Sequence, residues 1–343
     1  MSTGAGERLS AAAVLEEASQ TLVRLQRVRG ASATTRRRMA RAAAVMLAAA
    51  GLVAGASLAP AHAATPNFLS PFPFGLGNVG AFSSPSFADL DGDGDLDAFI
   101  GSLAGNTIYF ANTGSSAAPA FAASSANPFG LAGVGGGASS PSFADLDGDG
   151  DLDAFIGNGD GDTIYFANTG SSAAPAFAAS SANPFGLADV GAFSSPTFAD
   201  LDGDGDLDAF IGNLAGNTIY FANTGSSAAP AFAASSTNPF GLAAVGFRSS
   251  PAFADPDGDG DLDAFIGERE GNTFYFENTG SSAAPAFAAS AANPFGLAAV
   301  GTFSSPSFAD LDGDGDLDAF IVERNGNTIY FANTGSSAAP AFA

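Results

Sequence analysis

From Thr65 to the C-terminus the chain is a succession of short apolar runs, each cut off from the next by Gly, Pro, Asn or Ser. The third copy shows the pattern. Asn183-Pro-Phe-Gly-Leu leads through a variable turn to Ser195-Pro196-Thr197-Phe198-Ala199, then to an acidic loop and to Leu207-Asp208-Ala209-Phe210-Ile211-Gly212. After a short hairpin come Asn217-Thr218-Ile219-Tyr220-Phe221-Ala222-Asn223-Thr224-Gly225 and Ala229-Pro230-Ala231-Phe232-Ala233. Runs of this kind predict four strands per unit: a before the acidic loop, b after it, c at Thr-Ile-Tyr-Phe and d at Pro-x-Phe. Proline at the start of a and d is tolerated at a strand end or on an edge.

The unit is written five times, at intervals of 55 or 56 residues. Four short antiparallel strands in such a unit describe a propeller blade. The predicted fold is therefore all-β: a β-propeller of five four-stranded blades of about 55 residues, with the acidic loop between strands a and b. Phe87, Phe99, Phe110 and Phe121 of the first unit are predicted to pack between neighbouring blades. Ahead of the five units, Pro66-Asn67-Phe68 reads as a spare d strand joined to Phe72-Pro73-Phe74-Gly75-Leu76. Pairing with the last blade would clasp a closed ring; an open array, or a ring completed by a second chain, are the alternatives.

The acidic loop carries the candidate chemistry. It places Asp at every second position: Asp89, Asp91, Asp93, Asp95 and Asp97; Asp145, Asp147, Asp149, Asp151 and Asp153; Asp200, Asp202, Asp204, Asp206 and Asp208; Asp255, Asp257, Asp259, Asp261 and Asp263; Asp310, Asp312, Asp314, Asp316 and Asp318. Five carboxylates in nine residues repel one another, and the intervening glycines let the backbone curl on itself. A hard divalent cation resolves this, since Ca²⁺ takes six to eight oxygens from carboxylates, carbonyls and water. Positions one, three, five and nine would supply side-chain oxygens, and position seven its backbone carbonyl. An EF-hand requires a bidentate acid at position twelve, where the first copy has Ile100, and no amphipathic helix flanks the loop. A nine-residue calcium roll is excluded by the long repeat. The expectation is one Ca²⁺ per repeat, about five in all.

Composition divides the chain at about residue 63. Eight of the eleven Arg and the only His precede it, whereas residues 64–343 keep three Arg against 32 acidic residues, a formal charge of −29. That balance argues against nucleic acid and against anionic lipid as partners. Cysteine is absent, so there is neither disulfide nor thiolate chemistry. Residues 1–63 read as an export signal region: Arg36-Arg37-Arg38-Met39-Ala40-Arg41, an uncharged Ala-rich run at 42–59, and a small-x-small site at Ala61-His62-Ala63. An uncleaved anchor is the alternative, and Thr35-Arg36-Arg37-Arg38-Met39 also resembles a twin-arginine signal. Met1 and Met39 both remain possible starts. The expected location is secreted, cell-surface or periplasmic, with no stable membrane span in the mature chain.

Phe-Ala-Asp-Leu-Asp-Gly-Asp-Gly-Asp-Leu-Asp followed by an Asn-Thr-Gly turn resembles the FG-GAP/VCBS-type repeats of integrin α-subunit propellers and many secreted bacterial proteins. The resemblance covers 65–343 five times over and implies a calcium-bearing propeller outside the cytoplasm. It departs from the family's familiar seven blades. Members include adhesion modules, lectins and some polysaccharide lyases.

Catalysis is hard to place. Beyond residue 63 there is no His, Lys or Cys to make a nucleophile–base pair. Asp160, Asp162, Asp189, Glu268, Glu270, Glu277 and Glu323 do not recur in all repeats, while Tyr109, Tyr165, Tyr220, Tyr275 and Tyr330 do, which suggests structure. No enzyme is expected. In an a-b-c-d blade the acidic loops share one face with the c–d turns, and the b–c turns and d–a connections share the other. The repeats differ mostly on that second face, from which Arg248, Arg269 and Arg324 are expected to project towards an extracellular protein or glycan. The predicted role is an adhesion or ligand-binding module with structural calcium. A lectin is the first rival, though the chain has no Trp to stack on sugars, and a calcium-dependent polysaccharide lyase the second.

Overall fold

The computed structural model describes residues 73–115, 118–178, 181–336 and 338–343. Residues 1–63 and Pro66-Asn67-Phe68, read above as leader and clasp, lie outside them. The first blade is made of β1 (Pro85–Ala88), β2 (Asp97–Gly101), β3 (Thr107–Phe110) and β4 (Ser125–Ala126), hydrogen-bonded in that order. The second has β5 (Ser140–Ala144), β6 (Asp153–Gly157), β7 (Thr163–Phe166) and β8 (Ser181–Ala182). The third has β9 (Ser195–Ala199), β10 (Asp208–Gly212), β11 (Thr218–Phe221) and β12 (Ser236–Thr237). The fourth has β13 (Ser250–Ala254), β14 (Asp263–Gly267), β15 (Thr273–Phe276) and β16 (Ala291–Ala292). The fifth shows β17 (Ser305–Ala309), β18 (Asp318–Val322) and β19 (Thr328–Phe331); residues 70 and 71, the sequence counterparts of β4, lie outside the described residues. All pairings are antiparallel, with Ala88 opposite Asp97 and Phe99 opposite Tyr109. The protein is a five-bladed β-propeller.

Strand d differs from the sequence expectation. Pro-Ala-Phe forms only an isolated bridge, Asn112 to Phe121 in the first blade, and its counterparts do the same. The outer strand is instead the two-residue β4, whose Ser125 and Ala126 are exposed. Asn112 explains the shift, because its side-chain oxygen accepts the amides of Gly114 and Ala120 and holds the intervening segment as a tight hairpin.

The core lies between blades rather than within them. β2 is wholly buried, and its alternation sends Phe99 one way and Ala98 and Ile100 the other. Phe99 meets Phe143 of the second blade at 4.5 Å between ring centroids, with Leu131, Ile156 and Phe166 around it. Ile100 packs with Leu311 and Phe320 of the fifth blade. The aromatic set read from the sequence is therefore the inter-blade core. The Asn-Pro-Phe-Gly turn between blades couples them further. Phe129 sits edge-on to Tyr109 of the first blade while its carbonyl accepts the amide of Phe177 in the second. Gly130 follows at φ 96°, and a Cβ there would lie 2.8 Å from the Phe177 carbonyl oxygen, so no larger residue fits.

The same turn closes the ring. Phe74 packs edge-on to Tyr330, 5.1 Å between centroids, and accepts the amide of Phe121. Asn78 donates to the Asn325 carbonyl at 2.8 Å, and the Phe82 amide to that of Arg324 at 3.0 Å. Strands β1, β5, β9, β13 and β17 line the axis, each against its neighbours, β1 beside β17. There the hydroxyls of Ser84, Ser140, Ser195, Ser250 and Ser305 form a closed cycle of hydrogen bonds of 2.8–3.2 Å. One chain completes the propeller.

Inter-blade burial sets the mutational expectation. Phe210→Ala, at a side chain 0 % exposed, should cost about 3–5 kcal/mol. Phe247→Ala, at 56 % exposure, should stay within about 0.5 kcal/mol. Urea unfolding midpoints would compare the two.

Candidate metal loops and the opposite face

Each acidic loop starts from strand a with its first Asp already engaged. The two oxygens of Asp89 accept the amides of Gly92 at 2.8 Å and Gly94 at 3.0 Å. Asp91 and Asp93 each accept the amide two residues on. These turns fold the side chains inward, and Asp89, Asp91 and Asp93 bring carboxylate oxygens within 4.8 Å of one another. The same triads form at Asp145, Asp147 and Asp149; Asp200, Asp202 and Asp204; Asp255, Asp257 and Asp259; and Asp310, Asp312 and Asp314. Leu90 anchors the loop in the core at 1 % exposure. Gly92, at φ 72°, lets it seat against the next blade, since a Cβ would lie 2.7 Å from the Ser172 carbonyl oxygen.

The ninth position behaves differently. Asp97 opens β2, buried, with Oδ2 accepting the Tyr109 hydroxyl at 2.9 Å and Oδ1 the Asn112 amide at 2.7 Å. Asp153, Asp208, Asp263 and Asp318 repeat the arrangement with Tyr165, Tyr220, Tyr275 and Tyr330. The recurrent tyrosines thus hold the ninth carboxylate, a role signalled in the sequence only by their constant spacing of twelve residues from it. Burial pushes the Asp97 carboxyl up to about 6; the Asn112 amide and Tyr109 hydroxyl oppose this, and Asp91 and Asp93 add to it. Asp263 rises to about 7 for the same reasons. Burial and the adjacent Asp97 push the Tyr109 hydroxyl upward as well.

Positions one, three and five therefore converge directly, while position nine, held by its tyrosine, and the seventh (Asp95, Asp151, Asp206, Asp261, Asp316) stand outside the triads. Each triad could hold a metal ion. An all-oxygen carboxylate set of this kind is compatible with Ca²⁺. The fourth loop departs from the rest: Pro256 replaces leucine, the Asp255 oxygen takes the Asp259 amide, and Glu277 adds its charge beside Asp257.

On the other face the b–c turns share a device that their sequences conceal. The first residue is buried and caps its own turn. Asn158 accepts three turn amides, Glu268 those of Glu270 and Asn272, and Glu323 those of Asn325 and Asn327. Next to these turns, Phe82, Ala138, Phe193, Arg248 and Phe303 occupy one equivalent position, each at a left-handed φ of 52–62°. Phe82 stands 4.9 Å from Phe303 and 6.1 Å from Phe193 between ring centroids, closing over the axis.

Arg248 corrects the expectation of three projecting arginines. Its guanidinium lies inward among these rings, 4.6 Å from Phe82, 4.6 Å from Phe193 and 5.1 Å from Phe303. The shared left-handed backbone, which turns the phenylalanines to the axis, turns this side chain there too. Arg324 reaches the same cage, 5.5 Å from Phe82 and 5.8 Å from Phe303. Arg269 stands apart, over Phe247 at 5.8 Å and beside Glu270 at 3.8 Å. The large apolar side chains exposed among the described residues, Leu103, Leu214 and Phe247, lie in these same turns and connections. No helix among the described residues is long and apolar enough to cross a membrane.

The raised ninth carboxylates set a pH dependence for the metal-free protein. Between pH 4 and pH 6 the folded chain holds more protons than the unfolded one, with Asp97 at about 6 against 3.8. Stability in chelator should accordingly fall as pH rises through that window. Melting curves from pH 4.5 to 7.5, in buffers chosen to span about this range, would show it.

The FG-GAP-like repeat model matches residues 89–156, 145–211, 200–266 and 255–321, each match running from one acidic loop to strand b of the next blade. No curated protein matches the chain. With those matches spanning more than half of its length, the chain belongs to the FG-GAP-like repeat family.

Proposed function

We propose that this propeller is an exported, calcium-stabilised module that binds an extracellular ligand, in the manner of an adhesion protein, rather than an enzyme. The observation that carries the reading is the separation of two chemistries. The acidic triads occupy one face. All three arginines beyond residue 63 and the exposed Leu103, Leu214 and Phe247 occupy the other. On a body of formal charge −29, cations and large apolar groups gathered on one face mark a contact surface. A protein partner suits leucine and phenylalanine tips better than a glycan does, and the chain offers no Trp for sugar stacking.

The Asp loops supply hard oxygen donors and no basic counter-charge, which supports Ca²⁺ as their ion. When bound, the ion cancels repulsion within the loop and ties strand a to strand b. At free calcium a hundredfold above the dissociation constant, each site would stabilise the fold by ~2.7 kcal/mol. Exported calcium modules function at ~10⁻⁴–10⁻³ M, which fits the location argued from the leader.

Calorimetric titration should give one Ca²⁺ for each of the five triads, with a higher melting temperature in calcium than in chelator. Asp89→Asn with Asp91→Asn should remove one ion. Binding of no ions, or an unchanged melting temperature, would sink the calcium reading. For the contact face, Leu103→Ser, Leu214→Ser and Phe247→Ser combined should abolish retention of extracellular material on immobilised protein without lowering the melting temperature. Unchanged retention would move the contact elsewhere.

A further inference from the structure

At the axial mouth of that face lies a cation that no acidic group among the described residues pairs with. The Arg248 Nη1 is buried and has no hydrogen-bond partner among the described residues. The ion pair found among the described residues belongs to Arg269 and Glu270. Burial alone acts on the Arg248 guanidinium, drawing its pKa down to about 10. A guanidinium is a planar fork of N–H donors suited to paired oxygen acceptors, and removing one from water without an acceptor is costly. The phenylalanine faces offset part of that cost. They cannot accept for Nη1 as an oxygen does. Arg324 makes the imbalance larger, because its guanidinium approaches the same Phe82 and Phe303 rings. Two like charges lie against the same two rings, and the carboxylates of the adjoining b–c turns, Glu268 and Glu323, are already taken by the amides of their own turns.

The cavity beneath is small and hydroxyl-lined. It measures about 20 Å³, bounded by Arg248, Phe193 and Phe303 and by Ser194, Ser249 and Ser304. That admits an oxygen atom or two but not a phosphate. The Ser194 and Ser304 hydroxyls share hydrogen bonds with Thr163 at 3.2 Å and Thr273 at 2.9 Å in which either oxygen can donate. Each can therefore turn its proton towards an incoming acceptor. Above these hydroxyls stand the phenylalanine rings and the guanidinium, and the rest of the body would repel a polyanion.

We propose that this axial mouth is a carboxylate site, in which Arg248 and Arg324 receive an acidic side chain or chain end of the protein that docks on this face. The proposal rests on the binding face argued above, with Arg248 as the residue that touches the ligand and Arg324 as its partner at the rim. Phe82, Phe193 and Phe303 hold the guanidinium in place, and the serine cycle below closes the floor.

The test uses the full chain in saturating calcium at fixed ionic strength, titrated with sodium acetate and, separately, with the capped peptide acetyl-Leu-Glu-Leu-amide. Arginine Nε–H resonances provide the readout, assigned with Arg248→Met, Arg324→Gln and Arg269→Gln. Saturable shifts of the Arg248 resonance are expected, with the peptide binding more tightly than acetate. Arg248→Met, whose apolar stem still fills the cage, should weaken binding at least tenfold, roughly the loss of one charge-assisted hydrogen bond. Arg324→Gln should weaken it less, and Arg269→Gln not at all. Acetate binding as tightly as the peptide would keep the carboxylate site but overturn its assignment to a docked protein. No saturable response to either probe, with Arg248→Met melting at or above wild type, would make Arg248 a packing plug and overturn the site. That last result would leave the contact face standing, because the Leu103, Leu214 and Phe247 variants test it independently.

Discussion

A blade of this protein cannot bury its own faces. Each is a small sheet whose b strand is apolar on both sides, Phe99 facing one way and Ala98 and Ile100 the other. Neither surface can be covered from within the blade, so both require a neighbour. In a linear array the end blades would leave one such face in water. Closing the ring removes both ends, and the segment from Phe74 to Ser84 achieves it by giving the fifth blade what each Asn-Pro-Phe-Gly turn gives the others. The axial serine cycle follows from this closure, since five equivalent hydroxyls can satisfy one another only when the first meets the last.

That constraint assigns chemistry to the two faces. Inter-blade packing fixes the strands, which leaves only the connections free to vary, and the connections emerge on opposite sides. On one side the connections follow a common pattern, from which the fourth loop departs at Pro256 and Asp259. Asp89 caps two glycine amides, Gly92 seats against the next blade, and Asp97 is clamped by Tyr109 and Asn112. A network of this kind serves the fold, and it concentrates charge that a cation would relieve. On the other side the turns share only a buried first residue that caps them, so their tips can differ without disturbing the blade. Leucine, phenylalanine and arginine have gathered there. At the axis, three phenylalanines, an alanine and an arginine stand at one equivalent position of the five repeats, and the rings form a cage.

Much of this was legible in the chain. Strands a, b and c follow from apolar runs bounded by turn residues, and the loop triads from Asp at alternate positions with Gly between. Strand d was misplaced because its true residues, Ser125 and Ala126, are small and exposed and carry no hydrophobic signature, whereas Pro-Ala-Phe looks more like a strand. Asn112 gave no sign that it would fold that segment into a hairpin. The tyrosine partners of the ninth Asp were visible as a constant interval, but an interval does not say which oxygen a hydroxyl reaches.

Local chemistry, repeated five times, determined the blade, the number of blades, the acidic loops and the sharing of faces between connections. These depend on residues close together in the chain, where spacing translates directly into position. The tertiary structure alone decided how the ring closes and what meets at its axis. Phe82, Phe193, Arg248 and Phe303 stand at one position of the repeat, directly before Ser-Ser-Pro, and are separated by one or two whole repeats. Only the rotation of one blade onto the next brings them together, and with them a cation buried among aromatic rings.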